Sequence, residues 1–322
     1  MHPVLQVVFF FSILLTGMAV AMGIGMFILA SFGGENVEPV MEWAGRPSSE
    51  RGRRINLWLN SLNQIVAFGG GAILFHFLFG GRLTNVLIPV KTKPNPPLFP
   101  WLAMASVLAL AMAPVLDLTY RMNRLMVEWI PMIGEMVAFY EDAAEVVTRA
   151  LLTMPDLGSF IGILVAIAVL PAIFEEIAFR GVLMPRLARS TGNVHAAVWI
   201  SAALFSAIHL QFFGFIPRML IGAGLGYLVI HSGRLWPAMV AHFVNNGMAV
   251  VSAYIMGPEW LETGLDPMSP WELADYGFAV GAVVVLGAGW VWFKKRPRTW
   301  AESAAEYINP TAGDAGEILQ SH

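Results

Sequence analysis

An all-α bundle of membrane-spanning helices, about eight of them, is the architecture this sequence predicts, and three observations carry the prediction. Of 322 residues, 57% are hydrophobic and only 13% are charged, with a mean hydropathy of +0.65; that balance is too apolar for a soluble domain. The apolar residues gather in runs long enough to cross a bilayer. One such run contains the adjacent carboxylates Glu175 and Glu176 with Arg180 on the same face. A charged side chain in hydrocarbon costs about 2.5–3.5 kcal/mol on insertion scales, so this interruption points to function.

The first apolar run, 3–32, has no basic residues ahead of it. It is also far longer than the core of a signal peptide, about 7–15 residues, so it reads as a retained membrane helix. Further spans are expected at 57–80, 99–116, 157–187, 194–212, 215–230, 236–256 and 278–293, the segment 215–230 being the shortest. Between the third and fourth, residues 117–155 place Arg121, Arg124, Leu125, Glu128 and Trp129, then Glu141, Glu145 and Arg149, at amphipathic helix spacing. This segment is expected on the membrane surface, either as a helix pair that closes a loop or as a lid over a substrate. From Arg298 the tail is polar. Three regions follow: N-terminal helices with the amphipathic segment (1–156), a core carrying the chemistry (157–256), and an acidic loop with the last span and tail (257–322).

Basic residues in the short loops orient the bundle. Arg82, Lys91 and Lys93, then Arg186 and Arg189, then Arg234, and finally Lys294, Lys295, Arg296 and Arg298 all fall on one side if there are eight spans. The other side receives Glu259, Glu262, Asp266, Glu272 and Asp275. Both termini are therefore expected in the cytoplasm, with the protein multi-pass in a membrane. Cysteine is absent, which excludes a thiol nucleophile, disulfides and thiolate metal ligands. A net charge of −3 with no long basic run leaves nothing to recommend nucleic acid as a partner; the partners expected are the lipid bilayer and a membrane-associated protein or peptide.

Three polar pieces on three helices carry the chemistry. In Glu175-Glu176-Ile177-Ala178-Phe179-Arg180, Glu176 and Arg180 are one turn apart and can pair, which lowers the cost of the buried carboxylate. Glu175 lies about 100° away around the helix and is left for a second task. The second piece is Phe205-Ser206-Ala207-Ile208-His209. The hairpin turn near Thr191 and Gly192 puts Glu175 and His209 at similar depth, where a carboxylate and an imidazole can share one water. In the third, His242-Phe243-Val244-Asn245-Asn246, His242 and Asn246 share one face and can donate to a developing oxyanion. A base, a second imidazole and two donors are the parts of amide hydrolysis by an activated water. His76, Asn60, Asn63 and Gln64 read as polar packing in the second span, and His195 and His231 as residues of helix ends and loops.

These pieces, EExxxR, FxxxH and HxxxN in that order and roughly 33 residues apart, resemble the signature of the CPBP family, intramembrane proteases that include the eukaryotic CAAX prenyl endopeptidase and many bacterial homologues. The likeness spans about 157–256, and Arg180-Gly181 fits it too. It implies that Glu175 activates water with help from His209, that His242 and Asn246 stabilise the oxyanion, and that Glu176 and Arg180 support the site. It implies no cofactor and, with short loops and no cysteine, a bacterial inner membrane. Substrate identity does not come with it.

Two alternatives stay open at the level of sequence. Glu175, His209 and His242 are also a His₂Glu set of the zinc hydrolase type, although Asn246 suits an oxyanion better than zinc. A transporter or non-catalytic membrane scaffold could use the same cluster for ion or proton passage; no inverted repeat or pair of broken helices supports that reading.

Overall fold

A computed structural model of the chain describes residues 3–33, 37–79, 97–129, 131–257 and 271–294. Among them there is no strand, and ten helices run in order: α1 (Pro3–Gly33), α2 (Val37–Ala44), α3 (Glu50–Leu78), α4 (Leu98–Glu128), α5 (Pro131–Leu151), α6 (Leu157–Thr191), α7 (Val194–Ala207), α8 (Phe215–Ser232), α9 (Trp236–Met256) and α10 (Leu273–Lys294). The fold is an all-α bundle. Seven of these helices, α1, α3, α4, α6, α8, α9 and α10, are long and apolar enough to cross a membrane.

The run expected at 194–212 is shorter than its hydropathy suggests. It ends at Ala207, giving 14 residues, about 21 Å at 1.5 Å per residue against ~30 Å of hydrocarbon. Beyond Ala207 the chain turns: the Ser206 hydroxyl donates to the Phe215 carbonyl at 2.7 Å, and Leu210 takes a φ of 54°. The helix expected at 99–116 is instead longer and runs to Glu128 through Pro114, so the amphipathic segment consists of the end of α4 and all of α5.

Caps written in the sequence set several boundaries. Asp156 accepts from the Ser159 amide at 2.7 Å and starts α6; that amide and the Ser159 hydroxyl hold its carboxyl below the usual range. Asn193 accepts from the Ala196 amide and starts α7. Gly192 closes α6 with a φ of 63°, a left-handed conformation in which glycine meets no Cβ penalty.

Long-range contacts place the helix ends. Gln6 reaches Ser190 at 3.4 Å, the His195 ring meets the Tyr227 hydroxyl at 2.9 Å, and His231 stacks on Phe293 with centroids 5.0 Å apart. Trp101 stacks on the same Phe293. The start of α1, the end of α6, the end of α8 and the end of α10 therefore share one end of the bundle, with Arg186, Arg189 and Arg234 nearby. Glu272 and Asp275 precede or open α10 at the other end. Of the residues used for orientation, Arg82, Lys91, Lys93, Lys295, Arg296, Arg298, Glu259, Glu262 and Asp266 lie outside the described residues, as does the tail from Arg298.

Aromatic rings knit the core. Phe10 of α1 packs edge-on against Phe75 of α3 at 5.3 Å and Phe179 of α6 at 6.1 Å, and Phe179 meets Phe205 of α7 at 5.2 Å. α1 crosses α3 at Gly17, where an added Cβ would stand 2.8 Å from the Ala67 Cα; only a glycine admits that approach.

Candidate active site

The site is built on α6, the least regular helix of the bundle. Two stretches of it, Leu164–Val169 and Ile177–Leu183, are wound as π-helix, and each is followed by a proline, Pro171 and Pro185. In the first, the Leu170 amide bonds back to the Val165 carbonyl. The Ala166 carbonyl thereby loses its α-register donor, and its π-register donor would be Pro171, which has no N–H. Ile167 loses its α-register donor to the same proline. Two side-chain amides from other helices answer: Asn60 of α3 donates to Ala166 O at 3.2 Å, and Asn246 of α9 donates to Ile167 O at 3.1 Å. Backbone groups opened within a membrane helix need partners of this kind.

Further along α6, Glu176 and Arg180 are 0% and 1% exposed. Arg180 Nη1 donates to Glu176 Oε1 at 2.8 Å, the i,i+4 pair expected from the motif. Its Nη2 donates to the Gly222 carbonyl of α8 at 2.8 Å, and its guanidinium lies 4.7 Å above the Phe205 ring. Gly222 suits this close approach: an added Cβ would sit 3.2 Å from that same nitrogen and 3.1 Å from the Ala202 Cβ, so a neighbour would have to give way by a few tenths of an ångström. His242 Nδ1 also meets Glu176 Oε1, at 2.9 Å. A carboxylate bonded by Arg180 is an acceptor, so Nδ1 carries the hydrogen and Nε2 faces away from Glu176. That Nε2 lies 3.9 Å from Glu175 Oε2, too far for a direct bond and about right for one bridging water.

Glu175 is held differently. Its Oε1 accepts from Gln64 Nε2 of α3 at 2.8 Å, while Oε2 is the oxygen turned toward His242. His209 lies past the end of α7 with Nδ1 at 2.8 Å from the Phe205 carbonyl. A carbonyl only accepts, so Nδ1 donates and Nε2 carries the lone pair in the neutral ring. Glu175, His242 and Arg218 are the charged or titratable groups close enough to act on that ring. Phe205 is the hub between the imidazoles, its centroid 5.1 Å from His209 and 5.9 Å from His242.

The structure therefore joins Glu175, Glu176, Arg180 and His242 in one buried cluster, sets His209 beside it, and places Asn246 one turn below His242 on the α6 backbone. One amide hydrogen of Asn246 is committed to Ile167, and its Oδ1 accepts from Asn245 at 3.1 Å; the second hydrogen is what an oxyanion would use. Gln64 and Asn60, read as packing residues in the sequence, are partners of the site. Their signal was present as an amide-rich stripe, Asn60-x-x-Asn63-Gln64, in an otherwise apolar span. His76 is buried, and its carbonyl accepts from Arg186 at 3.3 Å. A cavity of about 800 Å³ lies on another side of α9 among α4, α8 and α10; it touches α9 at Ala241 and Asn245 and is chiefly apolar.

Among the described residues, no three His, Asp or Glu side chains converge to hold a metal ion. His242 and His209 each donate Nδ1–H and keep the Nε2 lone pair, as metal-bound imidazoles also do, so these bonds do not separate the zinc reading from the metal-free one.

Residues 157–248 match the profile of the family described as type II CAAX prenyl endopeptidase Rce1-like. Over these residues the chain is similar to that family. The matched segment covers α6, α7, α8 and most of α9, and so contains all six residues singled out by the motifs. Neither curated proteins nor solved structures provide a match to the chain.

Proposed function

We propose that this protein is an intramembrane endopeptidase that hydrolyses a peptide bond of a membrane-associated protein or peptide with water activated by Glu175. The Rce1-like core supports a protease of the CAAX type. The observation that carries the chemistry is the difference between the two glutamates: Glu176 is pinned by Arg180 and His242, whereas Glu175 is anchored at one oxygen by Gln64 and offers the other at water-bridging distance from His242.

In this reading a water between Glu175 and the imidazoles loses a proton to Glu175 Oε2 as its oxygen bonds to the substrate carbonyl carbon. The lone pair on His209 Nε2 helps orient that water. The carbonyl oxygen becomes an oxyanion, met by the free amide hydrogen of Asn246 and by His242 when Nε2 carries a second proton. The C–N bond then breaks, and the proton taken by Glu175 passes to the leaving amine. No step passes through a metal.

The deciding experiment compares newly formed termini in membranes carrying the wild-type chain or Glu175→Gln. Cleavage products should vanish with the variant. On a substrate found in this way, turnover should fall by roughly 10²–10⁴-fold, the range of a positioned general base. Near wild-type turnover of Glu175→Gln would reject this role. Exhaustive chelation should leave wild-type activity unchanged; loss with the chelator and recovery with zinc would make the histidines ligands.

We also infer a multi-pass protein of a bacterial inner membrane with both termini cytoplasmic. Supporting this, the α1 start, the α10 end and Arg186, Arg189 and Arg234 share one end of the bundle. A cysteine at Ser190 should react with an impermeant thiol reagent only after the cytoplasmic face is opened, and one at Leu273 should react in intact cells. The reverse pattern inverts the topology.

A further inference from the structure

The turn Ile208–Gly214 carries His209 and is bonded to the two helices it joins, but it is also held from two helices that it does not join. From the end of α4, Asn123 Nδ2 donates to both the Phe212 and Phe213 carbonyls, at 2.5 and 2.9 Å. From α5, Glu141 Oε1 accepts from the Phe213 amide at 2.8 Å. From the start of α8, Arg218 donates to the Gln211 side chain at 2.7 Å and to the Gln211 carbonyl. The turn needs this support. Leu210 sits at a φ of 54°, a conformation that a branched side chain keeps only where its surroundings over-determine it.

Asn123 is 6% exposed and, like Glu141, belongs to the segment 117–155, which has no part in the motifs and lies outside the Rce1-like match. Neither residue touches the reacting groups. α5 is amphipathic and is not among the helices long and apolar enough to span, and its half-buried Glu141 carboxylate meets the turn at the Phe213 amide. Burial pushes the Glu141 carboxyl above its ordinary range, while the Phe213 amide and Arg218 pull it back.

We propose that Glu141 of α5, together with Asn123 of α4, is a positioning residue that clamps the Ile208–Gly214 turn and so fixes where His209 stands against Glu175 and His242. The amphipathic segment is then a brace on the active-site turn, present in this chain outside the catalytic core. This rests on the protease reading for its consequence, though not for its geometry.

Glu141→Gln keeps an oxygen acceptor at the same reach. Glu141→Ala removes it, and Glu141→Asp keeps the charge but is one methylene short. Two readouts are made on the full-length protein in lipid. Hydrogen exchange of the peptide spanning 208–216 should speed up by about tenfold or more in Glu141→Ala and Glu141→Asp and stay near wild type in Glu141→Gln. On a substrate found by the comparison of termini, kcat should fall by about tenfold in Glu141→Ala and Glu141→Asp with KM unchanged, and Glu141→Gln should restore it. Asn123→Ala should behave as Glu141→Ala, and the double variant should add little, since both act on one turn; Asn123→Ala also replaces Glu141→Ala should the latter fail to fold.

Unchanged exchange in Glu141→Ala overturns the clamp. Faster exchange with unchanged kcat overturns its link to His209, and equal losses in Glu141→Gln and Glu141→Ala show that the acceptor is not what matters. Should the wild-type chain cleave nothing, the protease reading fails on its own, and the exchange comparison still decides the clamp.

Discussion

α6 and α10 are both apolar helices of membrane-spanning length, and they are built on opposite plans. α10 is regular, has no proline, and exposes Leu273, Phe278, Val280, Val283 and Val284; only 11% of its most apolar window is buried inside the protein. α6 has the higher mean hydropathy, 2.5 against 1.7, and yet it holds two prolines, two π-helical stretches and three buried charged residues. Mean hydropathy therefore says that a helix lies in the membrane, and nothing about which face meets lipid. What distinguishes α6 is that neighbouring helices and its own Arg180 answer its irregularities: Asn60 and Asn246 take the carbonyls freed near Pro171, and Arg180 and His242 take Glu176 at Oε1. In hydrocarbon a polar group without such an answer costs several kcal/mol, so an irregular helix persists only where neighbouring helices supply partners.

The comparison can be broken most severely at Glu176. Glu176→Ala leaves Arg180 and His242 without their shared acceptor at a fully buried position, and it should cost about 3–5 kcal/mol, the range for removing one partner of a buried pair. Thermal unfolding in detergent should show the loss together with loss of activity. A retained melting temperature would mean that Arg180 finds another acceptor.

A sharper and smaller test concerns the freed carbonyl. Asn246→Ala should destabilise by about 1–3 kcal/mol by leaving Ile167 O without its side-chain donor. Pro171→Ala supplies a backbone N–H in the same place, so the penalty of Asn246→Ala should shrink in that background. A double-mutant cycle of unfolding free energies measures the coupling. Additive effects would show that Asn246 acts apart from the helix distortion, and its oxyanion role would then stand alone.

On the plain helix almost nothing should happen. Val284→Ala, 65% exposed, should change stability by less than about 0.5 kcal/mol and leave activity alone. A large effect there would mean that α10 is covered by another molecule rather than by lipid.

Much of the candidate site was legible in one dimension. EExxxR shows that Glu176 and Arg180 can pair because four residues make one turn, and the structure has that pair at 2.8 Å. HxxxN likewise puts His242 and Asn246 on one face of α9. The sequence did not show which group each residue answers. Depth matching along the α6–α7 hairpin suggested Glu175 with His209, whereas the imidazole nitrogen found nearest Glu175 Oε2 belongs to His242, at 3.9 Å. Depth along two helices ignores the rotation of a third. Gln64, more than a hundred residues away, was legible only as a polar residue in an apolar span.

Composition and hydropathy by themselves determined that the chain is an all-α membrane bundle, because a backbone in hydrocarbon must satisfy its own hydrogen bonds and the lengths of apolar runs follow from bilayer thickness. Motif spacing determined which residues can share a helix face, since that depends only on 3.6 residues per turn. The tertiary structure decided the rest: that α7 stops at Ala207, that Asn60 and Asn246 bond a distorted backbone, and that Glu141 reaches the Phe213 amide from outside the core. Each of these depends on how separate helices rotate and cross, and such contacts between residues far apart in the chain leave no periodicity in the sequence from which they could be read.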